Sequence, residues 1–225
     1  MIDRIHVIGT GRVGSAVAAR LSKRGVAVRT GRVVDGGDPE LVLLCVPDAS
    51  IADVARELPQ GPLVAHVSGA TSLSALEPHV RRFSVHPLQT FTRSRGPEQM
   101  DGAWAAITAE TDEARARAWW LAGQLGLRPF DLSDDLRVLY HAGAATASNF
   151  LVTLYRAASQ LLDRAGAPPE ALLPLMRRTI ENGFELTGPI ARGDWSTVEA
   201  HLKAIRSHAP ELEPLYRALA EATRP

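Results

Sequence analysis

A single cysteine, Cys45, stands in the whole chain, so no internal disulfide can form and the fold must hold by packing alone. Cys45 lies inside an apolar run, and its expected role is core packing in a reducing compartment. Charge of one sign is lacking too. Lys+Arg and Asp+Glu number 25 each, for a formal net charge of zero. That balance supplies no basic field of the kind nucleic acid binding needs. The local pairs Arg81-Arg82 and Arg93, Arg95 read as solvated charges, with phosphate binding as the alternative. Long apolar runs are missing. The cleanest, residues 41–46, is far too short to span a bilayer. The chain enters a strand pattern directly, so no signal peptide is expected, and a cytoplasmic protein is. The seven histidines show no metal-ligand spacing and no G-x-S-x-G elbow occurs, so no metal site is expected. Trp119-Trp120 reads as helix packing. No internal repeat or low-complexity segment is visible.

What is there begins at the first residues. Residues 2–8 read as a short apolar strand, Gly9-Thr10-Gly11-Arg12-Val13-Gly14 follows at once, and residues 15–21 continue as a helix. Strand, G-x-G-x-x-G and helix in that order form the context of a dinucleotide site. Gly9 permits the tight turn, Gly11 lets backbone approach a pyrophosphate, and Gly14 lets helix and strand pack closely. Free N–H groups at the helix N-terminus would receive the phosphates. An NAD site carries an acid about 20 residues past the first glycine. This chain has Arg29, Thr30 and Arg32 there. Guanidinium groups grip a phosphate with paired hydrogen bonds, which points to NADP(H). The plainer alternative is that these arginines are surface charges. Asp35 and Asp38 come too late to serve as the ribose acid.

The alternation continues with strands at 26–28, 41–46, 63–67, 83–85, 104–108 and 127–132. The run at 41–46 has the unbroken apolar character of a strand buried on both faces. Asp48 is expected to cap a helix over 49–58, stopped by Pro59, and a further helix is expected over 113–125. This is an α/β pattern, a doubly wound, mostly parallel Rossmann sheet over residues 1–132. From Ser133 the chain reads as helix only: a long helix to about Arg164, a second over 170–186, a third capped by Ser196, and a last one to about Thr223. A helical domain at 133–225 has limited core of its own, so it is expected to pack on a partner, most simply a second copy.

Ligands in open α/β sheets bind beyond the carboxyl ends of the strands. The turns there hold Val46-Pro47-Asp48, Ser68-Gly69 and His86-Pro87. Pro87 fixes the direction of His86, a histidine suited to proton transfer near neutral pH or, equally, a loop histidine bonded to backbone. His141, Ala145, Ser148 and Asn149 share a helix face at 3.6 residues per turn, open to a ligand or to close helix packing. The loop 187–194 carries Thr187 and Arg192, the latter fit for a carboxylate or phosphate, while Asp194 can cap the next helix.

These stretches resemble a known family. GTGRVGSAVAARL (9–21), LVLLCVPDASI (41–51), HVSGATSLSAL (66–76), SVHPLQTF (84–91), LYHAGAATASNFLVTL (139–154) and LTGPIARGDWSTVEAHL (186–202) are similar to the Rossmann-like proteins with a DUF2520 domain, in the 6-phosphogluconate dehydrogenase-like superfamily. The resemblance implies an NADP-binding domain, a helical C-terminal domain and a homodimer; related superfamily members reduce or oxidise small carboxylic or imino acids with a nicotinamide cofactor. If the chain is an NADP-dependent oxidoreductase, His86 or His141 is expected to handle the proton, Asn149 to orient the substrate, and Ser148, Thr187 and Arg192 to contact it. One departure stands out. Several superfamily dehydrogenases carry Lys-x-x-x-Asn on the long helix. If Asn149 is that asparagine, the lysine position holds Ala145, and either His141 or His86 takes over or no hydride moves. A non-catalytic NADP-binding sensor or partner-binding protein is therefore the alternative. The segment after Val28 is also short, so a helix and strand usual in this fold are expected to be trimmed.

Overall fold

The structure, a computed structural model, describes residues 2–31 and 38–224. Arg32 and Asp35 lie outside the described residues. Seven strands form one sheet in the order β2-β1-β3-β4-β5-β6-β7. They are β1 (Arg4–Ile8), β2 (Ala27–Gly31), β3 (Leu41–Leu44), β4 (Leu63–His66), β5 (Arg82–Leu88), β6 (Trp104–Ala109) and β7 (Arg128–Asp131). All neighbours pair parallel except β5 and β6. Among the described residues, no strand lies outside β2. The next described strand in chain order, β3, lies on the other side of β1.

The two-residue period of a strand explains the core. Along β3, Leu41 and Leu43 join one apolar cluster and Val42 and Leu44 the other, all fully buried. The first cluster lies under α1 (Arg12–Lys23) and α3 (Asp112–Leu125), with Val17, Leu21, Leu121 and Leu125 reaching the sheet. The second lies under α2 (Ile51–Glu57) and a 3₁₀ turn at Leu73–Leu76. Thr111 caps α3 by accepting from Ala114 N, and Gly126 ends it in the left-handed region at φ 79°. The capping expected of Asp48 does not occur. A 3₁₀ turn over Asp48–Ser50 precedes α2, and neither start carries a side-chain cap, because Asp48 is already the first residue of that turn.

Parallel direction and register set where function can lie. Ile8, Leu44, His66 and Ser84 are aligned across β1, β3, β4 and β5, so the loops that follow the first three gather on one sheet edge. β5 runs on through His86 and Pro87, which face Ala106 and Ala105 of β6. His86 is thus a strand residue, where the sequence suggested a strand ending before it. Pro87 fits because the ladder to β4 stops at Ser84 and leaves that side of the strand without pairing.

The chain divides into two compact units, residues 1–145 and 146–225. The first ends with α4 (Arg137–Ala145). The second opens with a π-helical turn, Thr146–Phe150, and continues through α5 (Leu151–Arg164), α6 (Leu172–Glu181), α7 (Trp195–His208) and α8 (Glu213–Ala222). No helix among the described residues is long and apolar enough to cross a membrane. Helix α6 stops short of the expected 186 at Asn182-Gly183, and Phe184 takes φ 61°. Asp194, not Ser196, caps α7: its carboxylate accepts from Thr197 N at 3.1 Å, and the Ser196 hydroxyl donates to it at 2.8 Å.

Candidate functional site

The glycine loop shows which of its residues the fold itself demands. Gly9 has φ +100°, and a Cβ there would stand 2.5 Å from the Cys45 carbonyl oxygen. A Cβ on Gly14 would stand 1.9 Å from Gly9 O, so any side chain pushes α1 off the end of β1. A Cβ on Gly11 would meet nothing within 4 Å. Gly11 therefore borders open space, at the N-terminus of a helix that no side chain caps. Ser15 Oγ donates to Thr10 O at 3.0 Å and holds the turn from behind. Arg12 and Val13 are the first two residues of α1.

The end of β2 meets this loop. Arg29 and Thr30 pair with His6 and Val7 of β1, both are exposed, and the next residue, Gly31, accepts from Gly9 N at 3.4 Å. On the other side, Cys45 N donates to Ile8 O at 2.7 Å, which seats Val46 and Pro47 beside the loop. Burial pushes the Cys45 thiol up to about 12, so it is no nucleophile.

A second group sits at the ends of β4 and β5. Ser68 Oγ accepts from Ala70 N and Thr71 N at 3.2 and 3.0 Å, which shapes the turn carrying Gly69. A Cβ on Gly69 would lie 2.6 Å from Cδ2 of His141 and 2.8 Å from Nε2 of His86. Only glycine lets the two imidazoles converge there, with centroids 6.0 Å apart. His86 Nδ1 lies 2.7 Å from the Tyr140 hydroxyl, with the rings edge-on at 5.5 Å. Burial, then the nearby His141 and Arg137, lowers His86 to about 4, against a smaller upward pull from Asp48. Burial raises Tyr140 to about 12. The phenol keeps its proton; in the tautomer where it donates to Nδ1, neutral His86 carries its own proton on Nε2.

Arg137, on the first turn of α4, was invisible in the sequence. Its side chain is buried and donates to Thr108 Oγ1 at 2.7 Å, to Ser84 Oγ at 2.9 Å and to the Ser68 carbonyl. Burial lowers its pKa, and Asp134 opposes the shift most. Asp134 in turn accepts from Ser72 Oγ and from Leu73 N. One guanidinium thus ties β4, β5 and β6 to the helix that bears Tyr140 and His141. His66 lies in the same buried layer; desolvation, then Arg137, lowers it to about 3, and its Nδ1 accepts from Ser68 N at 3.2 Å.

The other expected residues belong to the second unit. Ser148 and Asn149 sit on the π-helical turn, so counting at 3.6 residues per turn from His141 does not carry past Ala145. Asn149 is exposed. Arg192 Nη1 donates to Thr187 O at 2.7 Å and closes their loop on itself. Hydrogen bonds from Thr197 and Ser196 hold Asp194 down at about 2, as a cap.

Residues 103–223, more than half of the chain, match the family described as a domain of unknown function, DUF2520. A comparison with curated proteins finds no match. Among solved structures, a Bacteroides fragilis protein provisionally named an NADP oxidoreductase is similar over 98% of this chain and 97% of its own, at 22% identity and a TM-score of 0.81. A Thermotoga maritima protein, TM1727, is similar over 97% and 98%, at 24% identity and TM-score 0.73. A reductive aminase from Aspergillus terreus, solved with NADPH and ethyl levulinate, is similar over 99% and 93%, at 16% identity and TM-score 0.69. At these identities the likeness is one of fold.

Proposed function

The chain belongs to the DUF2520 family, and on the geometry of its first unit we propose that it is an NADP(H)-dependent oxidoreductase acting on a small polar or carboxylate-bearing substrate. One observation carries the reading. Packing demands Gly9 and Gly14, whereas among the described residues no atom lies within 4 Å of where a Gly11 Cβ would stand, at an uncapped helix N-terminus. A backbone laid bare there suits a phosphate. The fit extends to the end of β2, where Arg29 and Thr30 would hold an adenosine 2′-phosphate, as would Arg32. NADPH and the Aspergillus reductive aminase are consistent with this cofactor choice.

The bound nicotinamide supplies a hydride. Val46, Pro47, Ser68 and Gly69 would hold its ring. Neutral His86 directs Nε2–H at the oxygen or nitrogen of the reacting bond and so stabilises charge developing there. Exposed His141 exchanges the proton with solvent. The amide of Asn149, the hydroxyls of Ser148 and Thr187 and the guanidinium of Arg192 are proposed for substrate recognition on their chemistry, which suits polar and anionic groups. A homodimer through the helical unit is part of the proposal. It is supported by the exposed Leu151, Leu173, Leu175, Ile180 and Phe184, whose burial on a second copy would be favourable.

If Asn149 is the asparagine of the superfamily's Lys-x-x-x-Asn, Ala145 stands at the lysine position, which favours a second reading: an NADP-binding sensor without turnover. Substituting Arg29 and Thr30 by alanine should weaken NADPH, measured by calorimetry, far more than NADH. Equal loss of both contradicts the cofactor assignment. His141→Ala should abolish turnover of carbonyl or imine substrates while leaving NADPH binding intact; unchanged turnover removes His141 from the mechanism.

A further inference from the structure

Ion pairs engage many of the arginines of the first unit, among them Arg4, Arg20, Arg56, Arg81, Arg82 and Arg115. Arg12, Arg93 and Arg95 differ. Among the described residues no carboxylate pairs with any of them, and all three line one cavity of about 270 Å³. Thr10, Gly11 and Ser15 line it as well. The cavity therefore lies on the α1 side of the glycine loop, between that loop and the segment following β5.

That segment is held in place. Gln99, only 5% exposed, accepts from Thr92 N at 2.8 Å, and its Nε2 faces the carbonyls of Arg95 and Gly96 at 2.8 and 2.9 Å. The backbone is thus fixed on both sides of Arg93. Arg20 of α1 donates to Pro97 O at 2.6 Å and ties the segment to the helix. Glu98, an acid close to Arg95, turns Oε1 onto Gly96 N at 2.8 Å. Among the described residues, three guanidinium groups therefore line one space with no carboxylate in ion-pair contact, and Glu98 acts on Arg95 only at longer range. Read alone, Arg93 and Arg95 passed for solvated surface charges; the fold brings them to the glycine loop from far along the chain.

We propose that Arg93 and Arg95, together with Arg12, form a cationic clamp for the diphosphate of the dinucleotide. The inference rests on the nucleotide reading above and adds a second wall to it. The diphosphate, not the adenosine 2′-phosphate, is the group assigned. The cavity is lined by the glycine loop, by α1 and by the Arg93 segment, and no residue of β2, where Arg29 and Thr30 lie, contributes to it. Guanidinium forks match phosphate oxygens in pairs, and two adjacent phosphates justify more than one fork.

The test is calorimetric titration of the full-length protein and its R93A/R95A and R93K/R95K variants with NADPH and with NADH, at low and high salt. Both arginines are exposed, so the thermal melt should stay that of the wild type. R93A/R95A is expected to weaken both cofactors by a similar factor, roughly ten- to a hundredfold by the usual worth of charged hydrogen bonds. Its affinity should also depend less on salt, and the lysine variant should recover part of the loss. Unchanged affinity in R93A/R95A, with the wild type binding normally, overturns the clamp and leaves the nucleotide reading intact. Loss of NADPH affinity alone overturns the assignment to the diphosphate. A wild type that binds neither cofactor overturns the nucleotide reading and the clamp with it.

Discussion

The two compact units solve the burial problem differently. In the first, strands such as β3 are fully buried from end to end and their side chains divide between two apolar layers. In the second, the buried apolar residues are few, Leu172, Val198, Ile205, Ala209 and Ala220, while Phe150, Leu175 and Phe184 are each more than half exposed. The first unit has a core that can fix side chains to within hydrogen-bond tolerance. The second has helices whose amphipathic pattern is drawn more strongly than its burial. A polar constellation such as Arg137 with Ser68, Ser84 and Thr108 belongs where packing is already complete, because buried polar groups need fixed partners.

The contrast can be broken most sharply at Arg137. Arg137→Met removes the charge but takes the donor from Ser84 Oγ and the Ser68 carbonyl in a buried layer, and should destabilise the protein by roughly 3–5 kcal/mol, the usual result of breaking a buried charged network. Urea unfolding measures it, and a loss under about 1 kcal/mol means the network is not what holds α4 to the strands. Next in size, Leu43→Ala in β3 should cost about 2–5 kcal/mol. Leu175→Ala in α6 should stay within about 0.5 kcal/mol in a monomer, since Leu175 is 62% exposed. A large cost at Leu175 that grows with protein concentration would place it in an interface between copies.

Acid acts on the first unit through its buried histidines. His66 and His86 are held at about 3 and about 4, below the ordinary 6.5. Between these values and 6.5 the unfolded chain binds more protons than the folded one. Stability is therefore full above pH 6.5 and falls as pH drops, by at most about 1.4 kcal/mol per pH unit for each histidine. The decline runs to about pH 4 for both and to about pH 3 for His66. Histidine ring NMR signals followed through pH 5 should show neither residue titrating; a midpoint near 6.5 for His86 contradicts the burial described here.

Much of the first unit was legible because its signals are local. An unbroken apolar run gave β3, and three glycines at fixed spacing gave the loop between β1 and α1. The second strand was placed too early: apolarity ends at Val28, but pairing to β1 carries the ladder on through Arg29 and Thr30. His86 was singled out by its proline, yet Tyr140, which orients it, was not, since nothing in the sequence brings β5 to α4. Arg137 and Arg93 were opaque for the same reason. An arginine's partners are set by long-range contact, and local pattern cannot separate a buried guanidinium from a solvated one. The π-helical turn at Thr146–Phe150 also escaped, because a one-residue change in helical period leaves no mark in composition.

The central claim is that Gly11 is kept bare for a ligand and not for the fold. The direct measurement is a calorimetric titration of wild type and Gly11→Ala with NADPH, beside their thermal melts. Gly11 has φ −69° and open space at its Cβ, so alanine should leave the melting temperature unchanged. Wild type should bind NADPH, and the variant should bind it at least about tenfold more weakly, a loss of roughly 1.4 kcal/mol. Equal NADPH affinity in both proteins, or none in the wild type, would contradict it.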